Sequence, residues 1–173
     1  YTFSDATAGD CVAISDNTTQ AVAIDGDLAE YTLDQVMDLV VDGADENNTI
    51  TWGTRWDNDN LYIAAQITDG TVLSAGTSNP WEQDAVEIYI DGNHDADGEY
   101  DSDKDVQIII HDDGAGATQI WNNGGPAADV EASFTLTGTG YNVEVKFPFS
   151  NIGFVPGNGR TIGFTIGTND ADN

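Results

Sequence analysis

Basic residues are scarce in this chain, and the imbalance of charge excludes several classes of partner. The 173 residues include 4 Lys and Arg against 31 Asp and Glu, which gives a net charge of −27. Nucleic acids and anionic membrane surfaces are excluded as natural partners, because their phosphates would be repelled by the protein. We interpret most of the acidic side chains as a solvated surface suited to salt at about 0.5–1 M, where ions screen the repulsion.

Cysteine and long apolar runs are also scarce. Cys11 is the only cysteine, which excludes an internal disulfide. We interpret it as a small buried side chain, with a link to another subunit as the alternative. No apolar run reaches the roughly 18 residues that a membrane span needs. Because the given sequence shows no signal peptide, we expect the mature or trimmed form of a secreted, extracellular protein.

The signatures of common enzyme classes are missing as well. The sequence contains no G-x-S-x-G, no H-E-x-x-H and no phosphate-binding loop. His94 and His111 fall in an acidic loop and at a strand end, where we expect them to be solvated. Carboxylate pairs of the kind that glycosidases use are so abundant that no single pair is informative. We therefore predict a protein without catalytic activity.

What the sequence does contain is a series of short strand patterns separated by turn residues. Residues 49–57 and 61–69 flank an Asp-Asn-Asp turn, and residues 130–149 hold two strand patterns around a Gly-Thr-Gly turn. Both arrangements predict β-hairpins. Residues 21–26 and 161–170 are further strand patterns, so the composition of elements indicates an all-β protein.

The predicted fold class is an antiparallel β-sandwich of the jelly-roll or immunoglobulin-like kind, spanning residues 21–173. Residues 1–20 have weaker patterning and predict an N-terminal arm or an extra strand. Helical spacing of apolar residues occurs in residues 27–40, at Leu28, Tyr31 and Val36. A turn followed by a strand is the alternative there.

Two strand patterns indicate which side chains face the core. In residues 84–92, three aliphatic side chains alternate with Glu87 and Tyr89. Because successive side chains of a strand point to opposite faces, the aliphatic ones are predicted to face inward and the two polar ones outward. Residues 105–112 are apolar on both faces at their centre, which predicts a central strand.

The cluster of acidic residues between these two strands indicates a metal site. Asn93, Asp95 and Asp97 alternate and Gly98 follows, as in the first half of a calcium loop, where oxygen ligands converge and Gly allows the sharp turn. The closing position of an EF-hand would fall on Lys104, which cannot bind a metal. We therefore predict a Ca²⁺ site of another geometry, because hard oxygen ligands suit Ca²⁺ better than Mg²⁺ or Zn²⁺. Its candidate ligands are Asp91, Asn93, Asp95, Asp97, Asp101, Asp103 and Asp105.

The four tryptophans fall into two groups. Trp52 and Trp56 lie on the predicted core face of a strand, whereas Trp81 follows an Asn-Pro pair and Trp121 precedes a Gly-rich turn. Exposed rings beside polar side chains hold sugars, since the ring packs on C–H groups while the polar groups bind hydroxyls. With Glu87 directed outward, the pattern predicts a saccharide site at Trp81 and Trp121. The alternative is that Trp81 closes one end of the sandwich.

Six segments spread over residues 21–172 match the pattern of one protein family. In chain order they are VAIDGDLAEY, TRWDNDNLYIAAQITD, NPWEQDAVEIYIDG, DVQ, GYNVEVKFPF and IGFTIGTNDAD. The third of them is the most specific. On these segments the chain resembles family 9 carbohydrate-binding modules, which are calcium-containing β-sandwiches of the DOMON-like kind.

The resemblance implies a non-catalytic module of a secreted xylanase or related enzyme, in which a sugar is held between two Trp rings. Trp81 matches the first ring, Glu87 matches the acid that bonds sugar hydroxyls, and Gln107 matches the Gln of the strand after the acidic loop. Two departures are present. Ile109 stands where the family usually has an Arg, and the sequence stops at Asn173, before the family's second Trp and last strand.

Two other functions are considered on the basis of the resemblance. If a sheet edge is unpaired, a second copy can add a strand to it, and the chain would be a structural subunit of an extracellular assembly or filament. Related sandwiches hold haem, but Met37 is the only Met, and His94 and His111 lack an apolar pocket. The predicted partner is therefore a polysaccharide or oligosaccharide, with a homo-oligomer formed by strand exchange as the alternative.

Overall fold

Two β-sheets packed face to face form the part of the chain that the computed structural model describes, which is residues 15–37, 48–73, 79–96 and 99–171. Helical structure within these residues is limited to two 3-10 helices, Pro80–Glu82 and Phe149–Asn151. Neither could span a membrane. The ten strands of the described residues are β1 (Asp16–Asn17), β2 (Gln35–Met37), β3 (Thr49–Trp56), β4 (Asn60–Thr68), β5 (Ala85–Asp91), β6 (Asp105–Asp112), β7 (Thr118–Asn122), β8 (Glu131–Thr137), β9 (Gly140–Pro148) and β10 (Gly163–Asn169).

The strand pairing confirms the predicted β-sandwich. The six-stranded sheet has the order β1-β3-β4-β9-β8, with β2 also paired to β3, and the four-stranded sheet has the order β10-β5-β6-β7. Every pair is antiparallel except the two-residue pairing of β1 with β3. Both predicted hairpins are present, as β3–β4 and β8–β9. Strand β6 lies between two neighbours, as its apolar pattern predicts.

The core lies between the two sheets and is built from the inward side of each strand. In β5, the aliphatic side chains of Val86, Ile88 and Ile90 are at most 2% exposed, as their alternation predicts. Trp52 and Trp56 are partly buried and pack against this core, which confirms their predicted placement. Each fully buried aliphatic side chain stabilises the fold by about 1.5–3 kcal/mol relative to an exposed one.

Residues 18–34 cover the outer face of the six-stranded sheet. Leu28 and Tyr31 pack there against Tyr62 of β4. The Arg55 guanidinium of β3 donates a hydrogen bond of 2.6 Å to a main-chain carbonyl of the segment. The central part of this sheet is therefore covered by protein on both of its faces.

The helix predicted for residues 27–40 is wrong over its described part. Residues 27–34 are irregular, and β2 follows at Gln35–Met37, which is the alternative of a turn and a strand. The apolar residues at helical spacing pack instead on the flat face of the sheet, and Val36 is 67% exposed. Contacts with the sheet have overridden the local pattern.

The strand predicted for residues 21–26 is also wrong. The main-chain N–H groups of Asp25 and Gly26 donate hydrogen bonds of 2.9 and 2.5 Å to the Glu144 carboxylate of β9. These two N–H groups therefore donate to a side chain, whereas in a β-strand they would donate to main-chain carbonyl groups. Of the predicted N-terminal arm, residues 15–20 are described, and they include β1; Cys11 lies outside the described residues.

Candidate functional site

The outer face of the four-stranded sheet brings the predicted polar and aromatic residues into one row. Gly167 of β10, Glu87 of β5, Ile109 of β6 and Trp121 of β7 are successive cross-strand partners. Because neighbouring strands lie about 4.8 Å apart, the row from Gly167 to Trp121 is roughly 14 Å long. Gln107 lies on the same face of β6, two residues from Ile109 and opposite Tyr89.

Trp81 is displayed from the 3-10 helix that precedes β5. Pro80 beside it is buried, while the Trp81 side chain is 48% exposed. Its ring meets the ring of Trp121 edge to face, with centroids 5.5 Å apart and planes at 80°. Such a pair is worth about 0.5–1.5 kcal/mol beyond its buried area, so each ring limits the movement of the other. The two predicted aromatic residues therefore form one cluster at the end of the row.

A chain of side-chain hydrogen bonds holds the carboxylate of Glu87. Asn169 Nδ2 of β10 donates to Glu87 Oε1 at 2.8 Å, and the Tyr89 hydroxyl donates to Glu87 Oε2. Gln107 Nε2 in turn donates to the Tyr89 hydroxyl oxygen at 3.1 Å. Glu87 itself is half-buried, so its carboxylate is both oriented and accessible. The predicted residues Glu87 and Gln107 belong to the same network.

The turn that carries Trp81 is tied to strand β6. Gln83, which is 4% exposed, follows the 3-10 helix, and its Nε2 atom lies 2.7 Å from His111 Nδ1. His111 is thus half-buried against this turn. The prediction that it is solvated at a strand end is wrong. The contact places the Trp81 turn over the end of the four-stranded sheet.

No Lys or Arg side chain lies on this face. Ile109, which departs from the pattern that the resemblance implies, is only 1% exposed. All four basic residues of the sequence are engaged elsewhere: Arg55 with Thr18, Lys104 with Asp103, Lys146 with Glu131, and Arg160 over the Phe154 ring. The floor of the row is therefore apolar, and its one formal charge is the negative charge of Glu87.

The acidic loop, residues 91–105, joins the far ends of β5 and β6. Asp91 accepts hydrogen bonds from the main-chain N–H groups of His94, at 2.6 Å, and Ala96, at 3.3 Å. Asn93 Nδ2 donates to a carboxylate oxygen of Asp95 at 2.6 Å and to one of Asp101 at 3.3 Å. Four of the predicted metal ligands are thus interconnected or adjacent in this loop.

Asp105 is partly buried at the start of β6. Its Oδ2 atom accepts a hydrogen bond of 2.8 Å from the Asp101 amide, while its Oδ1 atom is buried and has no hydrogen-bond partner in the described structure. Burial raises the pKa of Asp105, and the negative charges of Asp91, Asp101 and Asp95 raise it further. This carboxylate is cross-strand partner to Asp91. An unpaired oxygen among like charges is the position that a cation would satisfy.

Two predicted ligands stand apart from this group. The Asp103 side chain is 82% exposed and forms an ion pair of 3.5 Å with Lys104, so it is directed away from the loop interior. Asp97 lies outside the described residues. Across the described ranges, no three acidic, His or Cys side chains are already gathered closely enough to hold a metal ion.

Three residues that contact the site could not be assigned to it from the sequence. The outward direction of Tyr89 was predicted by alternation, but its hydrogen bond to Glu87 was not. The sequence around Asn169 does not indicate its role, because its partner Glu87 lies 82 residues earlier in the chain. The sequence around Gln83 does not indicate its role either, since its partner His111 lies 28 residues away.

Known sequences and structures resemble this chain over most of its length. The sequence model of the family described as "Carbohydrate family 9 binding domain-like" matches residues 21–173. In fold the chain is similar to a family 9 carbohydrate-binding module from Caldicellulosiruptor kristjanssonii, solved in complex with glucose and with cellotriose. The TM-score is 0.73 at 24% identity, with 93% of this chain and 78% of that chain covered. This likeness confirms the two-sheet fold.

The curated relatives are much longer proteins. The chain is 35% identical over 153 residues to endo-1,4-beta-xylanase A of Thermotoga maritima, which covers 86% of this chain and 14% of the relative. It is 35% identical over 124 residues to exoglucanase XynX of Acetivibrio thermocellus, which covers 72% and 11%. The chain thus spans about a tenth to a seventh of the length of the curated relatives it matches.

Proposed function

Because the chain belongs to the family described as "Carbohydrate family 9 binding domain-like", we propose that it is a non-catalytic module that holds a saccharide on the outer face of its four-stranded sheet. The observation that carries this proposal is the exposed Trp81 ring at one end of a row that also presents the oriented carboxylate of Glu87. An apolar ring and a fixed polar acceptor on one open face are what recognition of a sugar requires.

Each part of the row has a distinct role in the proposed complex. The Trp81 ring packs against the C–H face of a pyranose. Glu87 accepts hydrogen bonds from sugar hydroxyls, and bonds to a charged acceptor are stronger than neutral ones, at about 1.5–3 kcal/mol. Tyr89 and Asn169 fix the carboxylate before the sugar arrives, which lowers the entropy cost of binding. Gln107 supports Tyr89, and Trp121 supports Trp81.

The ligand class that the face fits is a neutral saccharide. The face has no Lys or Arg side chain, and the chain carries a net charge of −27, so the carboxylates of an acidic sugar would be repelled. Neutral ligands are also what the similar module from Caldicellulosiruptor kristjanssonii holds, namely glucose and cellotriose. We take these two sugars as the first probes.

The acidic loop is proposed to bind Ca²⁺ as a structural ion. The available ligands are carboxylate and amide oxygens, which Ca²⁺ prefers, and the buried Oδ1 atom of Asp105 lacks a partner among the described residues. Asp91, Asn93, Asp95, Asp101 and Asp105 would supply the ligands. A bound cation would neutralise the repulsion that raises the pKa of Asp105 and would hold the ends of β5 and β6 together.

The proposed context is a secreted, multidomain enzyme that acts on plant polysaccharides. The relatives in which this module is found are named as xylanases and an exoglucanase, and the chain corresponds to a small part of each. A non-catalytic module that binds saccharide keeps such an enzyme near its polymer, which raises the local concentration of substrate.

A second candidate function is a subunit that assembles by strand exchange. Strand β10 pairs with β5 on one side, and among the described residues no strand pairs with its other side. An open edge of this kind can accept a strand from a second copy. Light scattering with and without Ca²⁺ separates the candidates: the saccharide-binding proposal expects a monomer in both, whereas growth into oligomers favours assembly.

The proposed site is tested by calorimetric titration of the protein and Trp81→Ala with cellotriose. We expect the parent to bind and the variant to lose at least about 30-fold in affinity, since removal of an aromatic anchor costs about 2 kcal/mol or more. The free energy of unfolding should change by about 1 kcal/mol or less, because the ring is half-exposed. Leu136→Ala, which removes an exposed side chain of the other sheet, is the matched control and should bind like the parent. Equal affinity of Trp81→Ala and the parent would contradict the proposal.

A further inference from the structure

Gly167 lies in the interior of strand β10, where glycine is an unfavourable choice. A strand glycine has no side chain to pack, and it loses more backbone freedom on folding than other residues do. Its presence in a strand therefore marks a bulge, a bend, or a place where a ligand or another part of the main chain approaches closely. Strand β10 pairs regularly with β5 on both sides of Gly167, which leaves close approach as the explanation.

The other three glycines in described strands are explained by the protein itself. A Cβ atom at Gly53 would lie 2.1 Å from the Thr32 carbonyl oxygen, and one at Gly140 would lie 2.1 Å from the Ile67 carbonyl oxygen. A Cβ atom at Gly163 would lie 2.8 Å from the Asp91 side chain. In each case a larger residue would clash within the fold.

Gly167 differs from all three. No atom of the described residues would lie within 4 Å of a Cβ atom built there, apart from its chain neighbours, and its φ angle is not in the positive region that favours glycine. Neither packing nor backbone conformation in the described structure therefore requires glycine at this position. The open space lies on the same face as Glu87, its direct cross-strand partner.

The surroundings of Gly167 define what this space adjoins. Asn169, two residues along β10, reaches across to donate its hydrogen bond of 2.8 Å to Glu87. Directly opposite residues of antiparallel strands have Cβ atoms about 4.5–5.5 Å apart, so a side chain at position 167 would stand beside the Glu87 carboxylate. The missing side chain thus leaves the carboxylate accessible from the β10 side.

We infer that Gly167 is a specificity-determining position of the saccharide site, whose missing side chain leaves room for the sugar ring that bonds Glu87. This inference rests on the proposed function. A ring stacked at the Trp81 end of the row reaches Glu87 from above the sheet, and the space over Gly167 accommodates the part of the ligand that extends past Glu87. Side chains of increasing size at position 167 would exclude that part first and then the whole sugar.

The test is a graded series, Gly167→Ala, Gly167→Val and Gly167→Leu, titrated with glucose and cellotriose. We expect a progressive loss of affinity that reaches at least about tenfold for Leu, because hydrogen bonds to a charged acceptor are blocked. The melting temperature should be unchanged or higher, since the new side chain meets no described atom and favours the strand. Gly138→Leu is the matched control, because Gly138 also has open space around it and lies in the β8–β9 turn of the other sheet.

The outcomes separate this inference from the proposed function. Loss of binding by Gly167→Leu, with parental affinity in Gly138→Leu, supports it. Parental affinity in Gly167→Leu, while Trp81→Ala fails to bind, overturns the inference and leaves the proposed function standing. A clear fall in the melting temperature of Gly167→Ala would also overturn it, because another part of the chain would then occupy the space. A parent protein that binds neither sugar overturns both.

Discussion

The outer faces of the two sheets carry similar residues and use them differently. On the six-stranded sheet, Glu144 of β9 is fully buried, and its carboxylate accepts hydrogen bonds from the main-chain N–H groups of Asp25 and Gly26. On the four-stranded sheet, Glu87 of β5 is half-buried, and its carboxylate is held by the side chains of Asn169 and Tyr89. One glutamate fastens a segment of its own chain, whereas the other is oriented and left accessible.

The difference shows that the alternation of a strand does not decide the use of its outer face. Both glutamates are outward-facing by their position in a strand, but residues 18–34 cover only the sheet that holds Glu144. Burial raises the pKa of Glu144, although the two amide hydrogen bonds act in the opposite direction. The acceptor capacity of the covered face is used within the fold, and that of the open face remains available to a ligand.

The comparison is tested most strongly by exchanging each glutamate in turn. Glu144→Ala should lower the free energy of unfolding by about 2–4 kcal/mol, because two amides of the covering segment lose their acceptor and a cavity remains. Glu87→Gln should change stability by about 0.5 kcal/mol or less and reduce affinity for cellotriose about tenfold. Urea unfolding and calorimetric titration of both variants give the two quantities.

The two variants are controls for each other. Folded Glu144→Ala should bind cellotriose as the parent does, since its side chain lies on the opposite sheet. If Glu144→Ala lost binding while remaining folded, or if Glu87→Gln were the more strongly destabilised variant, the assignment of one structural and one binding face would be wrong.

The acidic loop provides a second difference between the two sheets. Only the four-stranded sheet is proposed to be stabilised by a bound cation. Ca²⁺ at about 100 times its dissociation constant should stabilise the fold by about 2.7 kcal/mol, which corresponds to roughly 5–10 °C in melting temperature. Asp105→Asn should abolish most of this shift, because it removes charge from a proposed ligand whose Oδ1 atom is buried. Thermal melts in Ca²⁺ and in excess chelator measure it.

Asp103→Asn is the matched control within the same loop, since the Asp103 side chain is 82% exposed and paired with Lys104. It should retain the Ca²⁺ effect. An identical melting temperature of the parent protein in Ca²⁺ and in chelator would contradict the calcium proposal.

The smallest expected effect is on the dependence of stability on pH without calcium. Burial raises the pKa of both Glu144 and Asp105 from their ordinary values of 4.5 and 3.8. A carboxyl whose pKa is raised by folding favours the folded state when protonated, and this contribution is lost as the pH rises through the folded value. Stability should therefore increase as the pH falls through the raised folded values towards the ordinary ones, by less than about 1.4 kcal/mol for each unit of raised pKa because solvent screens these groups.

At still lower pH, another group reverses this trend. Burial acts to raise the pKa of Asp57, but hydrogen bonds from the Asp59 and Asn60 amides and from the Tyr62 hydroxyl outweigh it and lower the pKa below 3.8. The contribution of Asp57 to stability is fully present above pH 3.8 and is lost as the pH falls through its lower folded pKa. Glu144→Gln should flatten the rise in stability above pH 4.5, whereas Glu87→Gln should leave it unchanged. A rise of equal size in both variants and the parent would exclude Glu144 as its source.

The strands and their inward sides could be predicted from the sequence because they depend on local periodicity. Alternation in residues 84–92 places Glu87 and Tyr89 outside, and the structure has them there. The covering segment could not be predicted in this way. Leu28 and Tyr31 have helical spacing, but their packing partner Tyr62 belongs to a strand more than thirty residues later.

In the candidate site, too, residues with a local sequence signal could be predicted and contacts between distant segments could not. Trp81, Glu87 and Gln107 were predicted from turn chemistry, alternation and resemblance, whereas the bond from Asn169 depends on the register of β10 with β5. In the acidic loop, composition does not distinguish the half-buried Asp105 from the exposed Asp103. That distinction arises only when the ends of two strands place one carboxylate inside and the other in solvent.

The most direct measurement is a nuclear magnetic resonance titration of the four tryptophan indole N–H signals with cellotriose. Trp81 and Trp121 lie on the open face, and Trp52 and Trp56 pack against the core between the sheets. We predict that the signals of Trp81 and Trp121 shift in proportion to bound sugar, while those of Trp52 and Trp56 stay in place. Substitution of each ring by Phe assigns the signals. Saturable binding that shifts only Trp52 or Trp56, or no shift in any of the four, would contradict a saccharide site on the outer face of the four-stranded sheet.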